Sequence, residues 1–249
     1  MSKLFIGTSG WSYDHWQGRF YPPDLPKIKW LEYYSQHFNT VEVNSTFYHL
    51  PQEKTVKNWM ARTPANFTFA VKASRFITHF KQLKDPVESL EKFLQTASWF
   101  GERLGPILFQ FPPKFAKNAE RLSEFLSVLP QSWRIALEFR HSSWFCEEIY
   151  ELIHKHKVAL CFSDTPWYPY CEEITADFVY LRLHGHEELY ASKYTKKQLD
   201  EYAKKIKNWL QGVSPPNGRV NGVYCYFDND ANAYAVENGK ELHNKISNF

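Results

Sequence analysis

The chain has 249 residues, close to the roughly 250 typical of one (β/α)8 barrel. Hydrophobic residues make up 43% and charged residues 23%, which supports a packed core and excludes a disordered chain. Thirty basic against 27 acidic side chains give +3, too mild a balance to imply nucleic-acid binding by itself.

Short β-branched and aromatic runs alternate with amphipathic stretches. The first strand is expected over Leu4–Thr8, with a helix over Lys27–His37 behind it. Thr40–Asn44 and the helix Glu53–Arg62 form the next unit. Phe67–Ala73 precedes a helix over Val87–Arg103, where Asp85-Pro86 places an N-cap before a helix-opening proline. Ile107–Phe111 pairs with Asn118–Leu129, and Arg134–Arg140 with Cys146–His156. Strands Val158–Phe162 and Phe178–His184 follow, then a helix over Lys196–Leu210 capped by Thr195. Ser214-Pro215-Pro216-Asn217-Gly218 reads as a surface loop, ahead of a last strand Gly222–Asp228 and a last helix Ala231–Ile246. This alternation implies a parallel sheet. About eight strands in 1–249 predict a single-domain (β/α)8 TIM-like barrel, with an open doubly wound sheet as the alternative.

Aromatic content is high at 18%, including nine Trp and 15 Tyr. No apolar run approaches the roughly 20 residues of a membrane span, and no signal-peptide pattern opens the chain. Cys146, Cys161, Cys171 and Cys225 form no C-x-x-C pair, which fits a reduced, cytoplasmic setting better than a disulfide framework.

Alternate strand residues face the barrel interior. In Ile135–Arg140 the odd positions are large and apolar, so Ala136, Glu138 and Arg140 point inward. The same parity sends Tyr180, Arg182 and His184 inward, then Tyr224, Tyr226 and Asp228. Lys72, Gln110, Glu42 and Asn44 arrive from four further strand positions. On nearly every strand an inward polar residue sits late, toward the C-terminal end, where barrel enzymes assemble their sites.

The inward set has three cations (Lys72, Arg140, Arg182), three carboxylates (Glu42, Glu138, Asp228) and His184. One reading is a structural ion-pair network, since unpaired charges are costly to bury. The other is a site for an anionic small molecule. Arg140, Arg182 and Lys72 would bind it, helped by Asn44 and Gln110, while Glu138 and His184, with Glu42 and Asp228, supply general base and acid. A divalent metal on Glu42, Glu138, His184 and Asp228 is a weaker alternative, because the Lys and Arg residues would repel it. No G-x-G-x-x-G or P-loop marks a nucleotide cofactor. Lys72 is a Schiff-base candidate if desolvated, though ion pairing is the expected state. Cys161 reads as packing. Loop aromatics, among them Trp11, Tyr13, Trp16, Tyr48, Trp144 and Trp167, read either as stacking platforms for sugars or bases or as a hydrophobic lid.

The motifs Gly7-Thr8-Ser9-Gly10-Trp11-Ser12-Tyr13, Val41-Glu42-Val43-Asn44-Ser45-Thr46-Phe47-Tyr48 and Phe69-Ala70-Val71-Lys72-Ala73 with Thr78-His79 resemble the YecE-like family, domain of unknown function 72. So do Leu108–Pro113, Leu137–Trp144, Leu181–Gly185 and Tyr226–Asp230. The resemblance runs across essentially the whole chain and implies a (β/α)8 barrel without naming a reaction. Asp228–Ala233 departs from the Asn/Gly-rich stretch expected there, which separates Asp230 and Asn232 from the pattern. The expected function is an enzyme acting on a phosphorylated or other anionic small substrate, with hydrolase, isomerase and lyase chemistry open. The alternatives are a nucleic-acid-binding or repair-type barrel and a non-catalytic binding protein.

Overall fold

Burying the apolar face of each strand run against helices produces eight parallel strands: β1 (Lys3–Thr8), β2 (Thr40–Val43), β3 (Thr68–Lys72), β4 (Leu104–Gln110), β5 (Ile135–Glu138), β6 (Ala159–Asp164), β7 (Phe178–Leu183) and β8 (Gly222–Phe227). The computed structural model describes residues 3–213 and 220–247, so the expected loop at 214–218 lies outside the described residues. Among those residues seven α-helices flank the strands: α1 (Trp30–Tyr34), α2 (Glu53–Ala61), α3 (Pro86–Ser98), α4 (Ala119–Ser127), α5 (Glu147–Lys155), α6 (Lys196–Gln211) and α7 (Tyr234–Ser247). None is long and apolar enough to cross a membrane.

The strands run in the order β1-β8-β7-β6-β5-β4-β3-β2, a (β/α)8 barrel in which β1 and β2 come together at a seam. Only Ser9 and Glu42 form a bridge there among the described residues. Side chains supply most of the remaining hydrogen bonds. Asn39 Oδ1 accepts from Ile6 N at 3.3 Å while its Nδ2 donates to Leu4 O at 2.8 Å. The Tyr34 hydroxyl accepts from Thr8 N at 2.9 Å and donates to Thr40 O at 3.1 Å. Gly7 makes this approach feasible, because a Cβ there would stand 2.2 Å from Thr40 O.

Strand parity holds. Ile135, Leu137, Val179, Leu181, Val223 and Cys225 join the outer core beneath the helices, whereas Ala136, Tyr180, Tyr224 and Tyr226 belong to a separate inner cluster. Phe5 stacks on Tyr224 at 4.5 Å inside the barrel, so its floor is plugged by rings.

Boundaries differ in physical ways. The helix expected over Lys27–His37 shortens to α1 behind a 3-10 turn, Lys27–Lys29. Thr195 caps α6 through a reciprocal pairing with Gln198. Asp85 occupies the N-cap position of α3, but in a left-handed conformation with no side-chain cap bond, so Pro86 opens that helix without it. β6 extends to Asp164, two positions past the expected end at Phe162. No α-helix lies between β6 and β7 among the described residues. There the connecting loop is laced onto β6 by Thr175, whose hydroxyl accepts from Leu160 N and donates to Val158 O.

Candidate active site at the C-terminal mouth

The inward charges meet at the C-terminal ends of the strands, and Arg182 of β7 stands at their centre. Its side chain is 1% exposed. Nε and Nη2 form a bidentate pair with Glu42 of β2, at 3.1 Å to Oε2 and 2.9 Å to Oε1. Nη1 donates to Glu138 Oε2 of β5 at 2.7 Å, and Nη2 to Asp228 Oδ2 beyond β8 at 3.0 Å. One guanidinium thus joins three carboxylates from three parts of the sheet, the planar fork geometry that arginine offers and lysine does not.

The two glutamates are saturated. Glu42 also accepts from Ser9 Oγ at 2.7 Å and from the Tyr180 hydroxyl at 2.6 Å. Glu138 accepts twice from Gln110 Nε2, at 3.0 and 2.9 Å, and once from Arg140 Nε at 2.8 Å. Burial alone would raise the Glu138 pKa, but Arg140 and then Arg182 hold it well below the usual carboxylate range. Burial likewise opposes ionisation of Asp228, and Arg182 followed by His184 pulls it below its ordinary value.

His184 has a defined tautomer. Arg182 Nη1 lies 3.2 Å from Nε2, and an arginine can only donate, so Nε2 is the acceptor and the neutral ring carries its proton on Nδ1. Nδ1 is 2.9 Å from Asp228 Oδ2, although off the axis of a good hydrogen bond. Burial, then the Arg182 charge, lowers the His184 pKa and keeps the ring neutral.

Two cations are differently placed. Arg140 spends only Nε on Glu138 and lays its guanidinium over Tyr168 at 4.6 Å, so both terminal nitrogens are uncommitted among the described residues. The ammonium of Lys72, the last residue of β3, makes no hydrogen bond or ion pair among the described residues, contrary to the expected ion pairing. The arginines have taken the carboxylates. Its Nζ rests 4.3 Å above the Phe47 ring, and Thr46 holds that turn by donating to Lys72 O at 2.6 Å. Burial, then Arg182, lowers the Lys72 pKa to about 8.

Asn44 adds a buried Oδ1 without a partner. His79 lies beside the cluster at a position to which strand parity does not apply. It sits on a π-helical turn, Phe76–Phe80, edge-on to Phe47, and burial followed by Lys72 and Arg140 lowers its pKa to about 4. Its signal was the Thr78-His79 pair in the motif after β3. Tyr190, whose ring lies 5.5 Å from His184, had no signal in the sequence pattern.

The loop aromatics divide. Trp16 and Trp144 are fully buried core residues. Trp11 packs edge-on against Trp59 of α2 at 5.3 Å, and Tyr48 lies under Arg75, so neither has a hydrogen bond or ring contact with the charged cluster among the described residues. Tyr13 donates to Ser9 O and lies near Asp228, whose charge adds to burial in raising its pKa. Cys161 is buried with its thiol pushed up, a packing residue. Among the described residues no three His, Cys, Asp or Glu side chains are grouped to hold a metal ion.

A family model described as "Protein of unknown function DUF72" matches residues 5–248. The chain is 26% identical to the UPF0759 protein YunF of Bacillus subtilis (strain 168), covering 96% of this chain and 93% of that one. It is 31% identical to the UPF0759 protein YecE of Escherichia coli (strain K12), over 58% of this chain and 51% of that one. A crystal structure of a DUF72 family protein from Thermotoga maritima superposes with a TM-score of 0.87 at 30% identity, covering 98% of this chain and 99% of that one.

Proposed function

Because the chain belongs to the DUF72 family, whose own description assigns no function, we propose a reading built on the site: an enzyme that binds a phosphorylated or carboxylated small molecule at the barrel mouth and moves a proton on it. The observation that carries this is the pair of uncommitted cations. Glu42, Glu138 and Asp228 are all joined to Arg182, yet among the described residues Arg140 keeps two uncommitted nitrogens and Lys72 an ammonium without a hydrogen bond or ion pair. A guanidinium edge matches a phosphate or carboxylate bidentately, and Lys72 adds a point charge. Asn44 Oδ1 offers an acceptor for a ligand hydroxyl.

Proton transfer falls to Asp228. Glu138 would have to abandon Gln110 and two arginines to act as a base, and Glu42 is equally engaged. Asp228 uses Oδ2 for Arg182, its side chain is 14% exposed, and Oδ1 has no hydrogen bond among the described residues. His184, held neutral beside it, stabilises the carboxylate and orients it.

A thermal-shift panel of sugar phosphates, nucleotides and carboxylic acids, each with and without Mg, Mn and Zn, tests this. A ligand at about 100 times its Kd adds roughly 2.7 kcal/mol. Stabilisation by one small-anion class, lost in Arg140→Gln, is expected; silence across every anion refutes the reading. A second reading, a nucleic-acid partner, has one observation in its favour. Arg75 lies against both Tyr48 (5.2 Å) and Phe80 (5.5 Å), with Tyr48 57% and Phe80 68% exposed, a set suited to stacked bases. Stabilisation by oligonucleotides alone would favour it.

A further inference from the structure

Lys72 is placed in a way that a simple anion contact does not require. A lysine serving only as a point charge is best kept fully protonated, by a carboxylate partner or by water. Here the carboxylates whose charge reaches the ammonium are already engaged elsewhere. Glu42 of β2, Glu138 of β5 and Asp228 beyond β8 face it while bound to Arg182, and Arg182 of β7 itself faces it as a like charge. Arg140 after β5 and the neutral His79 on the turn after β3 complete the ring of titratable neighbours. Phe47 covers one side of Nζ. Burial beside another cation is the environment that keeps an amine nucleophilic near neutral pH, and it outweighs the cation–π contact with Phe47, which by itself favours the ammonium.

We propose that Lys72 Nζ is the nucleophile toward a carbonyl substrate, an aldehyde or ketone whose phosphate or carboxylate group lies against Arg140. This deepens the reading above and rests on it. The Nζ lone pair forms the C–N bond while the C=O π pair moves onto oxygen. A proton passes from nitrogen to the Asp228 carboxylate and from there to the new alkoxide, giving a carbinolamine. That hydroxyl takes a proton from solvent and leaves as water, and the product is a protonated imine. Its positive nitrogen withdraws electrons from the neighbouring carbon and acidifies the C–H bond there, which is the proton that Asp228 is placed to accept.

The test is reductive trapping on the full chain. The protein is incubated with pyruvate, glyoxylate or dihydroxyacetone phosphate in cyanoborohydride, then digested and mapped by mass spectrometry. Hydride adds to the imine carbon and fixes a secondary amine. At pH 8 a lysine with a pKa of about 8 is about half deprotonated, against well under one hundredth for one at 10.5. Lys72 is therefore expected to label about a hundredfold faster than surface lysines, saturably, and with protection by inorganic phosphate. The experiment uses the unaltered protein, so folding of a variant does not enter; Lys72→Arg is the added control and loses the adduct. Label spread evenly over surface lysines, while the same anions still stabilise the protein, overturns the inference and leaves the anion site standing. A Lys72 adduct without anion stabilisation or phosphate protection supports the nucleophile and overturns the anion reading. Neither adduct nor stabilisation overturns both.

Discussion

Replacing Arg182 by methionine removes the one cation that joins Glu42, Glu138 and Asp228. Glu42 and Glu138 are 0% exposed, so neither can recover its solvation by turning to water. Breaking a buried pair from one side costs about 3–5 kcal/mol, because a charge is left uncompensated. Total stabilities are about 5–15 kcal/mol, so this single change takes a large share. For a chain of this size each kcal/mol moves the midpoint by roughly 2–4 °C, giving a fall of about 6–20 °C. Calorimetry at pH 7 measures it. The double variant Glu42→Gln with Arg182→Met supplies the control, since removing the stranded charge as well should return part of the loss. A fall under about 1 kcal/mol, or a double variant as unstable as the sum of the singles, would refute the argument that the cluster is held by mutual neutralisation.

Acid sensitivity follows from the same groups. Glu138 and Asp228 are held below their unfolded values of 4.5 and 3.8, so their contribution is present above those values and is lost as pH falls through them. His184 acts in the same direction below 6.5, where the unfolded ring takes up a proton that the folded one refuses. A plot of Tm against pH should therefore descend from about 6.5 downward, and the acid limb should flatten in Arg182→Met; equal slopes would contradict this. Lys72→Met should raise Tm at pH 7 and lose that advantage as pH climbs from about 8 toward 10.5, where the unfolded chain binds the extra proton. A pH-independent difference in denaturation midpoint would show that burial of the charge is not its cause. Tyr34→Phe should cost about 1–3 kcal/mol in chemical denaturation by stranding Thr8 N and Thr40 O, and a neutral result would mean that water replaces the hydroxyl.

Strand parity alone brings much of the charged cluster into view. It placed Glu42, Lys72, Gln110, Glu138, Arg182, His184 and Asp228 on inward positions because alternation along a strand is a local property. Which charge pairs with which is not local. From the sequence Lys72 is expected to be paired, and the competition of two arginines for the same carboxylates leaves its ammonium without an ion pair among the described residues. The β1–β2 seam was invisible for a similar reason, since Asn39 and Tyr34 serve a strand more than 25 residues upstream. Loop tryptophans carry no periodicity, so Trp144, stacked on Phe139 in the core, could not be told from Trp167, exposed on the surface. His79 escaped because it lies on an irregular turn, where parity has no meaning.

With Lys72 protonated, the cluster around Arg182 holds three positive and three negative side chains beside a neutral imidazole and sums to zero. A cluster without net charge casts a field that dies off faster than that of a single ion, and salt trims it further within a Debye length of about 8 Å. The anion proposed as ligand would therefore not be drawn from afar; it would arrive by ordinary diffusion and feel strong attraction only on touching Arg140 and Lys72. Raised ionic strength should consequently shorten its stay far more than it delays its arrival. On the proposed reading the site would act as a clasp, selective in what it keeps and indifferent to what approaches.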